Sequence, residues 1–316
     1  MRDLLLGTAR AVHRALSARG PLAAGRLPRG DAPGGDAQFD IDKVAERAVW
    51  EHLWRHAPVP VAVYTEDEGL RTTGAQPEHV LVIDPIDGTR PAAAGLEMAT
   101  VSIAAAPMGD GRPTVGDVCA AHVLELKTGA WLYADDVRPG VEASGYPHAV
   151  PGLSDNTDLS RMFWSLELNG HPMRLMCDAY GHLVDASANT GGVFVFNSAS
   201  YSITRILTGQ LDAFVDIGNR LLRDHRGTEP AFRRAGRGNI LHLFGYDIAA
   251  SVYLARRAGV TITDAYGEPL DSMPLLAVDP MSQRSCVAAA TPRLHQALLR
   301  TIRWDAPAQP TSGGTS

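Results

Sequence analysis

The chain has 316 residues, 45% hydrophobic and 20% charged, enough apolar material for one large domain or two lobes around a real core. A formal net charge of −6 offers no basic field to nucleic acid or an acidic membrane, and no apolar run approaches the roughly 20 residues that cross a bilayer. The three cysteines, Cys119, Cys177 and Cys286, are widely spaced without a CxxC pair and read as buried, reduced thiols of a cytoplasmic protein.

Residues 2–18 alternate apolar with basic positions and predict an amphipathic helix rather than a leader. Residues 20–38 carry five glycines and three prolines without periodicity, a mobile loop. A second helix is expected over 42–56, where Ala45, Val49 and Leu53 recur at helical spacing. The run "VPVAVYTEDEG" reads as a strand ending in acids. "MATVSIAAA" and "VGDVCAAHVLEL" are further strands, the latter turning through "KTG" into "AWLYA" as a hairpin. Stretches 138–160 and 169–190 show no assignable pattern. Beyond them strand and helix alternate: a strand near 192, a helix over 198–208 stopped by Gly209, and a strand over 211–217. "YDIAASVYLARRAG" is a helix closed by Gly259, and a strand and turn follow it in "VTITDAYGEPL". "SCVAAA" is a last strand, and a final helix starts near Thr291-Pro292. The tail 305–316 is poor in apolar residues and expected to be disordered.

The residues that carry chemistry stand at "VLVIDPIDGTR", 80–90. An apolar strand ends in Asp84 and Asp87, separated by a proline and followed by a glycine. Pro85 holds Asp84 extended, and Gly88 permits a turn that most residues resist. Such a corner aims two carboxylates and the Ile86 carbonyl at one point, and paired carboxylates need a cation to offset their repulsion. Hard divalent ions take oxygen ligands of this kind. A β-turn whose aspartates cap backbone N–H groups is the plainer alternative for the spacing alone. Asp42 and Asp247 stand where helix N-caps belong. Glu66, Asp67 and Glu68 are three neighbouring acids of one strand end. His52 and His56 lie four apart without an HExxH, and no P-loop, GxGxxG or GxSxG follows a strand.

"LVIDPIDGTR…VSIA" resembles the signature of the inositol monophosphatase family, the magnesium-dependent, lithium-sensitive phosphatases of sugar and nucleotide phosphates. "YDIAAS" at 246–251 resembles that family's second signature, and the run "ARRAGVTITDAYGEPL" follows in register. "DKVAE" supplies the aspartate, and the glutamate four residues on, of its preceding helix. The resemblance implies an α/β fold: an α+β first lobe and an α/β second lobe in a layered α-β-α-β-α sandwich of the inositol monophosphatase / fructose-1,6-bisphosphatase type. One phosphatase domain would span 1–304, with lobes of about 1–150 and 151–304. Glu66, Asp84, the Ile86 carbonyl, Asp87 and Asp247 would ligate a pair or trio of Mg²⁺ ions, with Mn²⁺ as a substitute and Li⁺ inhibitory. Asp84 would bridge two of them. Asp42, Thr89 and Glu66 would position and deprotonate the attacking water. Gly88, Thr89, Arg90, Asn197, Ser198, Ala199 and Asp216 would contact substrate. Asp67 or Glu68 remains an alternative to Glu66.

The sequence also departs from that pattern. Thr65 stands for a glycine, Asp67 for a second glutamate, Tyr246 for tryptophan and Ser251 for glycine, and none of these changes removes a metal ligand. An insert over 219–245 holds Arg220, Arg223, Arg226, Arg233, Arg234 and Arg237. The expectation is a phosphomonoesterase of a small phosphorylated sugar, cyclitol or related metabolite, acting as a cytoplasmic homodimer without nucleic-acid or membrane partners. A bisphosphate phosphatase using the arginine insert for the extra phosphate, and a non-catalytic binding protein, are the alternatives.

Overall fold

The structure is a computed structural model and describes residues 1–17 and 30–305. Residue 18 of the predicted first helix, residues 20–29 of the predicted Gly/Pro-rich loop and residues 306–316 of the predicted tail lie outside the described residues.

Helix α1 (Arg2–Ser17) is followed by a small hairpin, β1 (Gly30–Asp31) with β2 (Ala37–Gln38), and by α2 (Asp40–His56). A seven-stranded sheet comes next: β3 (Ala62–Thr65), β4 (Gly69–Thr72), β5 (His79–Asp87), β6 (Thr100–Pro107), β7 (Ala120–Glu125), β8 (Trp131–Asp135) and β9 (Glu142–Ser144), in the order β4-β3-β5-β6-β7-β8-β9. Only β3 and β5 pair in parallel within it. Helix α3 (Thr89–Ala94) leaves the end of β5. The second sheet has five strands: β10 (Phe163–Leu166), β11 (Gly192–Phe194), β12 (Ala213–Asp216), β13 (Thr261–Thr263) and β14 (Cys286–Ala289), in the order β11-β10-β12-β14-β13. With it come α4 (Met173–Ser187), α5 (Ala199–Leu207), α6 (Gly218–Asp224), α7 (Glu229–Ala235), α8 (Gly245–Ala258) and α9 (Pro292–Thr301).

Period-two burial sorts these elements into layers. On one face of the first sheet Val63, Leu81, Ile83, Val101 and Ile103 pack with Leu5, Ala9, Val49 and Leu53 of α1 and α2. On the other, Tyr64, Val80, Val82 and Ala104 meet Ile203 and Ile206 of α5 and Ile248, Val252 and Leu254 of α8. The same helices cover Phe214, Ile262 and Ala288 of the second sheet. Its far face, Trp164, Val215 and Val287, packs on Met176 and Tyr180 of α4, Phe232 of α7 and Leu294 of α9. The result is the expected α-β-α-β-α sandwich. Because β5 is buried on both faces, it reads as a continuous apolar run instead of an alternation.

Most predicted elements lie within a few residues of their observed limits, and the exceptions have physical causes. Stretch 169–190 contains α4: its stripe Met176, Ala179, Tyr180, Leu183 has helical spacing, masked in the sequence by Gly170, Pro172 and Gly181, three apparent breakers. Pro172 is in fact the residue before the helix starts. Cys177, on the outer face of α4, is exposed, not buried as expected; Cys119 is half-buried and Cys286 buried, all three free. Residues 30–38 form the β1–β2 hairpin where a mobile loop was expected, because Asp36 is tied into the protein beyond it. Among the described residues no helix is long and apolar enough to cross a membrane.

Candidate active site

Residues three apart on a strand normally face opposite sides. At the end of β5 they do not. Asp84 pairs with Ser102 of β6 and Asp87 with Thr100, three residues opposite two. This bulge reverses the parity and turns both carboxylates toward the α5/α8 layer. The Asp84 Oδ1 accepts the Ile86 N–H at 3.0 Å. Gly88 turns the chain at φ 91°, and a Cβ there would stand 2.7 Å from the Met98 carbonyl and 2.9 Å from Ser198. Only glycine fits.

Asp87 reaches across to the start of α5. Its Oδ2 accepts from Ser198 Oγ at 2.7 Å and from the Ser200 N–H at 2.6 Å, and its Oδ1 from the Ala199 N–H at 3.2 Å. Ser198 is the N-cap of α5, and Asn197 before it takes a left-handed φ of 54°. Asp42 and Asp247 occupy equivalent places on two helices. Each accepts, at 2.6 Å, the N–H of the residue three before it, Phe39 or Phe244. They therefore lie at the third helical position, half of a capping box, and not at the N-cap that the sequence suggested.

One pocket collects Glu66, Asp84, Ile86, Asp87, Gly88, Thr89, Arg90, Asn197, Ser198, Ala199, Asp216 and Asp247. Of the three neighbouring acids, only Glu66 enters it; Asp67 hydrogen-bonds Gln38, and Glu68 pairs with Arg71. Asp42 does not line the pocket but joins it through Thr89, whose hydroxyl stands between the Ile86 carbonyl, 3.0 Å away, and the Asp42 carboxylate. Every predicted site residue thus lies on the pocket or one hydrogen bond from it.

The charge is one-sided. Burial, then the repulsion of Asp87 and Glu66, holds Asp84 well above the usual carboxylate range. Glu66 is raised by burial, then by Asp247 and Asp36, and Asp247 by burial most of all. Asp87 is pushed up to about 6 by burial, against the pull of its N–H and hydroxyl donors. Burial lifts Asp42 to about 7. The one guanidinium on the wall among the described residues, Arg90, is committed to Asp36 by a bidentate pair at 2.6 and 3.0 Å. Asp36 also accepts from Asn169 at 3.2 Å, which anchors the β1–β2 hairpin over the site. An acidic set with no free countercharge fits a hard divalent cation. Among the described residues no three acidic or imidazole side chains already stand close enough to enclose an ion, so the donors form an open cradle, not a closed cage.

Of the other wall the sequence reading named only Asp216 and missed Glu167 and His242. Glu167 follows β10 and Asp216 ends β12, two parallel neighbours whose carboxyl ends open on the pocket. His242, Phe244 and Tyr246 bring the end of the insert to the same space. An acid closing an apolar strand, as Glu167 does in "FWSLE", was the available signal. None of the insert's arginines lines the pocket. Arg220 stacks on Trp304 and bonds the Ala265 carbonyl, Arg223 bonds the carbonyls of Met281 and Gln283, and Arg233 bonds Glu229. Arg226, Arg234 and Arg237 are exposed.

A layered α/β sandwich whose strand ends and helix starts gather carboxylates in one cleft defines a metal-dependent phosphatase. The chain belongs to the inositol monophosphatase family of phosphoric monoester hydrolases, whose family description matches residues 24–306. A curated relative from Archaeoglobus fulgidus, named fructose-1,6-bisphosphatase/inositol-1-monophosphatase, is 26% identical over 262 residues, 83% of this chain and 82% of that protein. A Streptomyces coelicolor protein named histidinol-phosphatase is 26% identical over 268 residues, 82% and 81% of the two chains. The extragenic suppressor protein suhB of Bartonella henselae superposes with a TM-score of 0.66 at 18% identity, covering 95% of this chain and 97% of that one. An inositol monophosphatase from Anabaena gives 0.63 at 18% identity, covering 95% and 93%. These two likenesses concern the fold.

Proposed function

We propose that this chain is a Mg²⁺-dependent phosphomonoesterase of a small phosphorylated sugar, cyclitol or related metabolite. What carries the reading is the gathering of Glu66, Asp84, the Ile86 carbonyl, Asp87 and Asp247 on one pocket that, among the described residues, has no unpaired guanidinium or ammonium of its own. These five would hold the metal ions. Bound divalent ions supply charge neutralisation for the phosphoryl oxygens and acidify water.

The remaining work falls to the protein. Thr89 accepts a hydrogen bond from the attacking water, and Asp42 behind it takes the proton. Its carboxyl, lifted to about 7 by burial, suits a base near neutral pH. Glu66 orients the water from the opposite side. The amino-terminal ends of α5 and α8 and the N–H groups of Gly88 and Thr89 favour the phosphate anion. Arg90, Asn197, Ser198, Ala199 and Asp216 contact the substrate.

The bisphosphate alternative gains from the Archaeoglobus relative's name and loses from the geometry, since the insert arginines are spent elsewhere or exposed. The deciding experiment is phosphate release from a panel of sugar, cyclitol and amino-alcohol esters. Release should require Mg²⁺, persist with Mn²⁺, weaken with Li⁺ and stop with a chelator. Turnover indifferent to chelation would end the reading. A single domain over 1–304, homodimer assembly and a cytoplasmic location complete it, the dimer being open to sedimentation equilibrium.

A further inference from the structure

The wall opposite the β5 corner has a composition that phosphate binding does not explain. Glu167 is 9% exposed, Asp216 1%, His171 6% and His242 7%. The Glu167 Oε1 accepts the N–H groups of Leu168 at 2.9 Å and Asn169 at 2.8 Å. The Asp216 Oδ1 accepts the Gly218 N–H at 3.1 Å, while its Oδ2 is buried with no partner among the described residues. The Nε2 of His242 is likewise buried and unpartnered.

The tautomers of the two histidines follow from their neighbours. The His171 Nδ1 lies 3.0 Å from the Glu167 carbonyl, which can only accept, so Nδ1 carries the proton. Both imidazoles are deeply buried, which favours the neutral form. The His171 Nε2 is then an acceptor, and the His242 Nδ1, 3.2 Å away, donates to it. The His242 Nε2 is left with a bare lone pair. The edge of Phe232 packs on both rings, at 6.0 Å from His171 and 5.2 Å from His242, and fixes the relay.

Three side chains of this wall therefore offer acceptors: Glu167, Asp216 Oδ2 and His242 Nε2. Two are carboxylates, and the one guanidinium that shares their pocket among the described residues, Arg90, is already held by Asp36. A hydroxyl has one proton to give, a primary ammonium three and a positive charge. We propose that Glu167, Asp216 and the insert-borne His242 bind the leaving alcohol and select one that carries a protonated primary amine. The insert thus acts through its carboxyl-terminal end, which carries His242, not through its arginines. A second phosphate is excluded from this wall by like charge. The inference rests on the phosphatase reading for its reaction and adds the substrate class.

The test uses the full-length protein with Mg²⁺ and matched esters: glucosamine 6-phosphate against glucose 6-phosphate, and histidinol phosphate against its N-acetyl derivative. The ammonium member of a pair is expected to show a kcat/KM about tenfold or more higher. Glu167→Gln and His242→Phe should each shrink that ratio, mainly through KM of the amine ester, with circular dichroism confirming folded protein. Titration calorimetry of histidinol against N-acetylhistidinol, in inorganic phosphate, reads the wall without turnover and should favour the free amine by a similar factor. Parity in both pairs with p-nitrophenyl phosphate still hydrolysed overturns this inference and spares the phosphatase reading. Absence of Mg²⁺-dependent release from every ester removes the phosphatase reading, and equal affinity in calorimetry then removes this one too.

Discussion

The two walls of the pocket are built in opposite ways. Asp84, Ile86, Asp87, Gly88 and Thr89 come from six consecutive positions, held by a strand bulge and a left-handed glycine. Glu167, Asp216 and His242 come from three distant segments, held by a chain of side-chain hydrogen bonds and one phenylalanine. A backbone corner keeps its shape when a side chain changes. A wall assembled by packing does not. The first wall should therefore fail through its chemistry, and the second through its core.

The sharpest way to break that contrast is Asp84→Asn. Phosphate release should fall about a thousandfold or more, while the metal-free protein melts no lower than the parent, because a repelling buried carboxylate has gone. A lowered melting temperature would show that the corner is held by this side chain and not by the backbone. Phe232→Ala attacks the other wall. Phe232 is fully buried against both histidines, so urea unfolding should show a loss of about 3–5 kcal/mol; a loss below about 1 kcal/mol would mean the insert is not part of the core. Thr89→Val keeps the volume and removes the hydroxyl between Ile86 and Asp42. Its kcat should fall about a hundredfold with KM little changed, and an unchanged kcat would remove Thr89 from the proton path.

At neutral pH a weaker effect, which grows only on acidification, tests burial away from both walls. His122, fully buried with Nδ1 on the Leu132 carbonyl at 2.9 Å, is driven down to about 3 by burial. Its folded-state value lies below its unfolded value near 6.5, so the unfolded chain binds the extra proton as pH falls. Its contribution to stability is intact above about pH 6.5 and declines by roughly 1.4 kcal/mol per unit between there and about 3. His122→Phe should flatten the acid side of a stability–pH curve measured in urea; parallel curves would contradict it. The least effect is expected from replacing Arg233 and Arg234 together by alanine. Rates on mono- and bisphosphates should stay within about twofold, since both side chains are exposed and outside the pocket. A selective loss on bisphosphates would bring the insert arginines back to the site.

Much of the first wall was legible because its constraints are local. Pro85 and Gly88 act on their own backbone, and a nine-residue apolar strand announces its own burial. The residues alone left Glu66, Asp67 and Glu68 open, since neighbouring residues of a turn differ only in where they point; the register of the family resemblance favoured Glu66, the one that lines the pocket. The roles of Asp42 and Asp247 were half legible: the helix starts were evident, but their place at the third helical position depends on where Phe39 and Phe244 leave the helix. The insert misled for a plain reason. Its charge is visible in the sequence, but the direction of each arginine is set by partners such as Trp304 and the Met281 carbonyl, far along the chain.

The sequence by itself determined the order of strands and helices, through periodicity, and the acidic corner, through backbone-restricted residues; the family, and with it the layered α/β sandwich, came from two motifs that resemble that family's signatures, read in order along the chain. The tertiary structure decided which carboxylates share a cavity, that Arg90 is spent on Asp36, and that His171 and His242 form a relay ending in a bare acceptor. Proton positions and free lone pairs depend on what stands within about 3 Å of each atom, and that distance is fixed only when the two sheets close around α5 and α8.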